Sequence, residues 1–176
     1  MRIVLTLTTV KDDDRSDPFE QLMRSHRRLE ERLDELQLAS QGTDARAAAE
    51  VARDVAGFFA RAVRRHEEDE EQSLFPRLPK SESLERLSRE HREHEQLHAE
   101  LEAIAEKLAG GGEALRDLSR VADALAQAYR THIEEEENVL FPAARAALDD
   151  SAKAEIAREM QGRRGGGGGG RGGRRS

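Results

Sequence analysis

The segment HEEDEEQSLFP at residues 66–76 returns as HIEEEENVLFP at residues 132–142. Each copy begins with histidine, carries glutamate at its fifth position and closes on Leu-Phe-Pro. Residues i and i+4 of a helix share one face, one turn apart, so His66 with Glu70 and His132 with Glu136 each aim an imidazole and a carboxylate at a common point. An apolar stripe leads into each frame. Val51, Val55, Phe59 and Ala62 run into His66, Glu70 and Leu74, and Leu118, Val121, Leu125 and Ala128 run into His132, Glu136 and Val139. The pattern therefore predicts two helices that turn acids toward a core. Glu71 and Glu137, one residue further on, come within reach by a modest helix rotation; the i+4 spacing is favoured.

The remaining punctuation gives an all-α chain. Asp17-Pro18-Phe19-Glu20 is a helix start, with an N-cap acid, proline at the first helical position and a glutamate placed for a capping box. A first helix to about Ala39 presents Phe19, Leu22, His26, Leu29, Leu33 and Leu36 at alternating spacings of three and four. After the break at SQGTD, the second helix runs from about Asp44 to Phe75. The third has a seam of Leu84, Leu87, His91, His94, His98, Leu101, Ala105 and Leu108; glycines 110–112 end it, and a fourth starts near Ala114. Pro142 ends or kinks that fourth helix. Short connections favour antiparallel neighbours, hence an up-down-up-down four-helix bundle over residues 16–160, with a short fifth helix from about Ser151 to Met160. Residues 1–15 form an unassigned arm. The Gly/Arg-rich residues 161–176 cannot bury a core and are expected to be disordered. The first half repeats in the second: Leu29, Leu33 and Leu36 follow His26 at the offsets at which Leu97, Leu101 and Ile104 follow His94.

Composition removes several classes of function. The 176 residues include no cysteine, which excludes disulfides, thiolate nucleophiles and soft-metal sulfur sites, and leaves nitrogen and oxygen as metal donors. No apolar run approaches the length of a membrane span and the opening residues carry no cleavage site, so the expected protein is soluble and cytoplasmic. Of the net charge of −7, the tail contributes five arginines, so the remainder carries −12. The body repels nucleic acid, and any such binding is left to residues 161–176.

Burying one bare carboxylate costs several kcal/mol, and burying a second beside it adds repulsion. Divalent cations reverse that balance, with neutral imidazoles completing the coordination. The donor set suits iron, with manganese or zinc as alternatives. His26, the two frames with their Leu-Phe-Pro ends and the string REHREHEQLH resemble the hemerythrin-like HHE cation-binding family over about residues 17–142. That resemblance implies a non-heme di-iron centre, two iron ions that can be oxo-bridged, in a four-helix bundle. Carried over, the metal ligands are His26, His66, His94, His98 and His132, with Glu70 and Glu136 as bridges; His91 lies on the same seam and stays an alternative. It also implies dioxygen, nitric oxide or peroxide as the small ligand, for storage, sensing or iron handling. A metal- and gas-binding protein is favoured over an enzyme, with no catalytic residue assigned.

Three other readings use the same residues. A di-iron oxidoreductase removing peroxide or nitric oxide would need no further ligand. A metal-free interaction bundle would display the basic tail to nucleic acid. HEQLH at residues 94–98 fits the zinc-protease pattern HExxH, with Glu95 as base, but that reading leaves both Leu-Phe-Pro frames unexplained. The acids Glu67, Glu68, Glu134 and Glu135 are expected on a solvated face.

Overall fold

A computed structural model describes residues 17–165, so the expected arm and the last part of the expected tail, residues 166–176, lie outside the described residues. Among the described residues, five helices follow one another. They are α1 (Pro18–Ser40), α2 (residues 45–74), α3 (Glu82–Ala109), α4 (residues 115–147) and α5 (Asp150–Gly165). The chain is an all-α bundle in which α1 and α3 each pack against both α2 and α4.

The helix starts are chemical. Asp17 accepts from the backbone N–H groups of Phe19 and Glu20, Asp44 from those of Arg46 and Ala47, and the Ser81 hydroxyl from that of Leu84, each satisfying donors that no helical carbonyl reaches. Glu20, the acid placed for a capping box, has a partner on a distant helix. It pairs with Arg145, which also holds Asp17 and so ties the start of α1 to the end of α4. Gly111, at φ 81°, supplies the left-handed turn after α3.

Two apolar clusters flank a polar layer. One is built from Leu29, Leu33 and Leu36 of α1, Ala48 to Val63 of α2, Leu101 to Leu108 of α3 and Leu118 to Ile133 of α4. The other, at the opposite end, holds Phe19, Leu22, Leu74, Phe75, Leu84, Leu87, Leu140 and Phe141, capped by Ile156 and Met160 of α5. His26, His66, Glu70, His91, His94, His132 and Glu136 fall between the two on α1 to α4, and all seven are buried.

The Leu-Phe-Pro ends are explained by the backbone. In α2 and α4 the turns Glu70–Leu74 and Glu136–Leu140 are π-helical, with Phe75 N–H bonded to the Glu70 carbonyl and Phe141 N–H to that of Glu136. Proline lacks an N–H and collides with the carbonyl four residues back; a turn with one extra residue relieves that collision at Pro76 and Pro142. Helix α2 then ends in a short 3-10 turn, whereas α4 continues through Phe141–Ala147. The inserted residue rotates the side chains of the turn, which is why Val139, expected inward, is 59% exposed and Leu140 is buried instead.

Helix α5 continues to Gly165, five residues beyond the expected end. Its extension is anchored, because Arg163 and Arg164 reach Asp69 at 3.1 and 2.7 Å and Arg163 also contacts Ser73. Asp69 is wholly buried, so these arginines are its compensation. Replacing both with alanine is expected to destabilise the fold by about 2–3 kcal/mol in urea denaturation, less than a fully buried pair would cost because the arginines reach solvent. An unchanged midpoint would show that the pairing contributes nothing.

Candidate metal centre

Two sets of donor atoms converge in the polar layer. The first is His26, His66, Glu70 and Glu136; the second is His91, His132, Glu70 and Glu136. Within each set the ligating atoms all lie within 4.8 Å of one another. The two carboxylates are shared. Glu70 turns Oε1 toward His66 Nε2 (3.2 Å) and Oε2 toward His91 Nε2 (3.5 Å), while Glu136 turns Oε2 toward His26 Nε2 (3.2 Å) and Oε1 toward His132 Nε2 (3.3 Å). Each glutamate thus offers one oxygen to each set, as a bridge must.

The far sides of the imidazoles are held by carboxylates. His26 Nδ1 lies 2.8 Å from Glu137, His91 Nδ1 2.9 Å from Glu71 and His132 Nδ1 2.8 Å from Glu90. A carboxylate only accepts, so each of these imidazoles carries a hydrogen on Nδ1 and, when neutral, presents Nε2 as a lone pair. Glu71 and Glu137 therefore do not substitute for the i+4 acids. The π turn brings both acids into use, the first inward to the centre and the second onto a histidine of the opposite half. The phenylalanines complete the cross-bracing: Phe75 stacks on His91 and Phe141 on His26, with interplanar angles of 12° and 10°.

These contacts set the symmetry of the two halves. His26 corresponds to His91, since each is held by the i+5 glutamate and the phenylalanine of the frame opposite. The leucine match had paired His26 with His94, three residues further along α3. In the observed register Phe19 and Leu22 correspond to Leu84 and Leu87, and His94 and His98 take the places of Leu29 and Leu33. Neither His94 nor His98 falls within the two donor sets, and His91 does. His94 stands beside the second set, 5.5 Å ring to ring from His132. His98 is turned to Tyr129, with Nε2 2.7 Å from the phenol oxygen, and Phe59 is stacked on it at 4.4 Å. The Tyr129 hydroxyl donates to Glu67, an acid expected on a solvated face. Glu135, expected there as well, is half-buried against Arg86 and Ser83. Among these residues, Glu67, Phe59 and His98 line an open surface cavity of about 760 Å³. The polar group has no counterpart across the pseudo-twofold: Leu29, Leu33, Val63 and Ile133 occupy the places matching His94, His98, Tyr129 and Glu67, and all four are buried.

Electrostatics show how poorly the centre tolerates being metal-free. Burial raises Glu70 well above the usual carboxylate range, and repulsion from Glu136 adds to it. Burial pushes Glu136 upward too, but His132 and His26 beside it hold it well below that range. Burial lowers His132, yet Glu136 and Glu90 outweigh it and bring the imidazole up to about 9. Burial takes His94 down to about 3 and His98 to about 4. None of the four oxygens of Glu70 and Glu136 accepts a well-aligned hydrogen bond. His91 Nε2 and His132 Nε2 face each other at 3.0 Å, a contact that a second proton on His132 satisfies in the metal-free protein. Two lone pairs at that distance repel unless a proton or a cation lies between them, and a cation would also satisfy the orphaned carboxylate oxygens.

Fold and site together define a helical-bundle protein with a cation-binding centre in its core. The family model for the hemerythrin HHE cation binding domain matches residues 17–161, and the chain belongs to that family. No curated protein and no solved structure matched the chain. Substituting Glu70→Leu should remove the shared ligand and, in the presence of a chelator, raise metal-free stability by about 1–4 kcal/mol, because a leucine in that place carries no desolvation cost. A variant less stable than the unaltered chelated protein would contradict the view that this carboxylate strains the fold.

Proposed function

We propose that the chain is a hemerythrin-like non-heme di-iron protein that takes up dioxygen, nitric oxide or peroxide at its metal pair. In this reading His26 and His66 hold one ion, His91 and His132 hold the other, and Glu70 and Glu136 span both, with His94 as a further imidazole beside the second. The four carboxylate oxygens of Glu70 and Glu136, buried without a hydrogen-bond partner and each facing an imidazole Nε2, carry the proposal, since that arrangement is costly without a cation. Iron suits the mixed nitrogen and oxygen donor set; manganese and zinc fit the same donors.

When bound, the iron pair would supply an open coordination position for the small ligand. The chain's own contribution is orientation and exclusion of water. Glu71, Glu90 and Glu137 fix three imidazoles in one tautomer, Phe75 and Phe141 cover two of them, and the apolar clusters on either side keep bulk solvent from the centre. A second reading, an oxidoreductase that removes peroxide or nitric oxide, is favoured by the hydrogen-bonded series His98, Tyr129 and Glu67 beside the surface cavity, which His94 meets in a ring contact with Tyr129. Burial brings the Glu67 carboxyl up to about 7, where it exchanges protons near neutral pH.

Iron titration of the metal-free protein, with optical spectra before and after air, tests the reading. About two irons per chain and a stoichiometric spectral change are expected; consumption of peroxide or nitric oxide past one equivalent would select the oxidoreductase. Well under one metal per chain would favour the metal-free interaction bundle. His132→Ala should lose at least one metal and lower the melting temperature more in the loaded form than in the metal-free form, where the imidazole still compensates Glu136.

A further inference from the structure

The four imidazoles of the two donor sets are not equally supported. Three of them give Nδ1–H to a carboxylate. His66 is the exception: its Nε2 faces the first set, and its Nδ1 is buried with no hydrogen-bond partner in the protein. His66 lines a small cavity of about 50 Å³ together with Ser25, Arg28, Leu29, Phe58, Ala62 and Val63. In the pseudo-symmetric register His66 corresponds to His132 and Ser25 to Glu90. The carboxylate that supports His132 is thus replaced, behind His66, by a serine whose hydroxyl donates to the Gln21 carbonyl. The cavity has room for a water molecule, a weaker acceptor than a carboxylate.

We propose that the two metal positions are unequal, with the position of His26 and His66 the weaker and more exchangeable, because Ser25 stands where Glu90 stands in the other half. Hydrogen bonding of Nδ1–H to a carboxylate makes Nε2 a better donor, and loss of such a partner lowers metal affinity by about 10–100-fold. A second difference acts in the same direction, since His94 flanks the second position where Leu29 flanks the first. The inference rests on the two-metal reading and names which of its positions exchanges with the surrounding pool of divalent cations.

Anaerobic titration of metal-free protein with ferrous ion, in competition with a chelator of known affinity, reads both steps. The unaltered chain should bind one ion about 10–100-fold more tightly than the other. Ser25→Glu should narrow the gap by tightening the weak step, and Glu90→Ser should narrow it by weakening the tight step. Two equal steps in the unaltered chain, or a Glu90→Ser protein in which only the weak step changes, would overturn the proposal while leaving a two-metal centre intact. Binding of less than one ion would instead remove the two-metal reading. Should Ser25→Glu fail to fold, the Glu90→Ser titration decides alone.

Discussion

Everything in this bundle is arranged around two carboxylates that water cannot reach. Glu70 and Glu136 have no exposure at all, and the bundle supplies them with imidazole nitrogens rather than with hydrogen-bond donors of the ordinary kind. A core built for stability alone would place leucines there. The outer acids, the stacked phenylalanines and the π turns all serve to keep those two side chains facing each other across the histidines.

The acid run of α2 shows how economically this is done. Five consecutive acids have five environments: Glu67 accepts from Tyr129, Glu68 pairs with Arg64 at the surface, Asp69 is clasped by α5, Glu70 faces the donor sets and Glu71 holds His91. No α-helical face presents five successive residues to one side. Successive α-helical residues already differ by about 100° in direction, which separates Glu67, Glu68 and Asp69, and the π turn that begins at Glu70 adds its own rotation to the acids there. What reads as a solvated stretch of charge is a set of separate contacts with three other helices.

Much of this was legible from periodicity. The inward direction of His26, His66, Glu70, His132 and Glu136 follows from stripes that continue through them, and the helix starts at Asp17 and Asp44 from capping chemistry. The choice among His91, His94 and His98 was not legible. At spacings of three and four they share one seam, and which of them stands level with His132 depends on how far α3 is slid along its neighbours. The leucines following His94 suggested one register; the buried layers, with Phe19 and Leu22 opposite Leu84 and Leu87, select another. The extension of α5 was hidden for a similar reason, since Gly162, Arg163 and Arg164 gain their order from a distant aspartate rather than from their own propensity.

The unlike surroundings of the two halves give the centre a handedness. On one side Leu29, Leu33, Val63 and Ile133 form an oily wall; on the other stand His94, His98, Tyr129 and Glu67, the last three hydrogen-bonded in series beside an outer hollow. A doubled scaffold that kept its donor atoms alike and let their backdrop diverge thus sets its two halves in unlike media, one lined by aliphatic side chains and the other by groups that can exchange hydrogens.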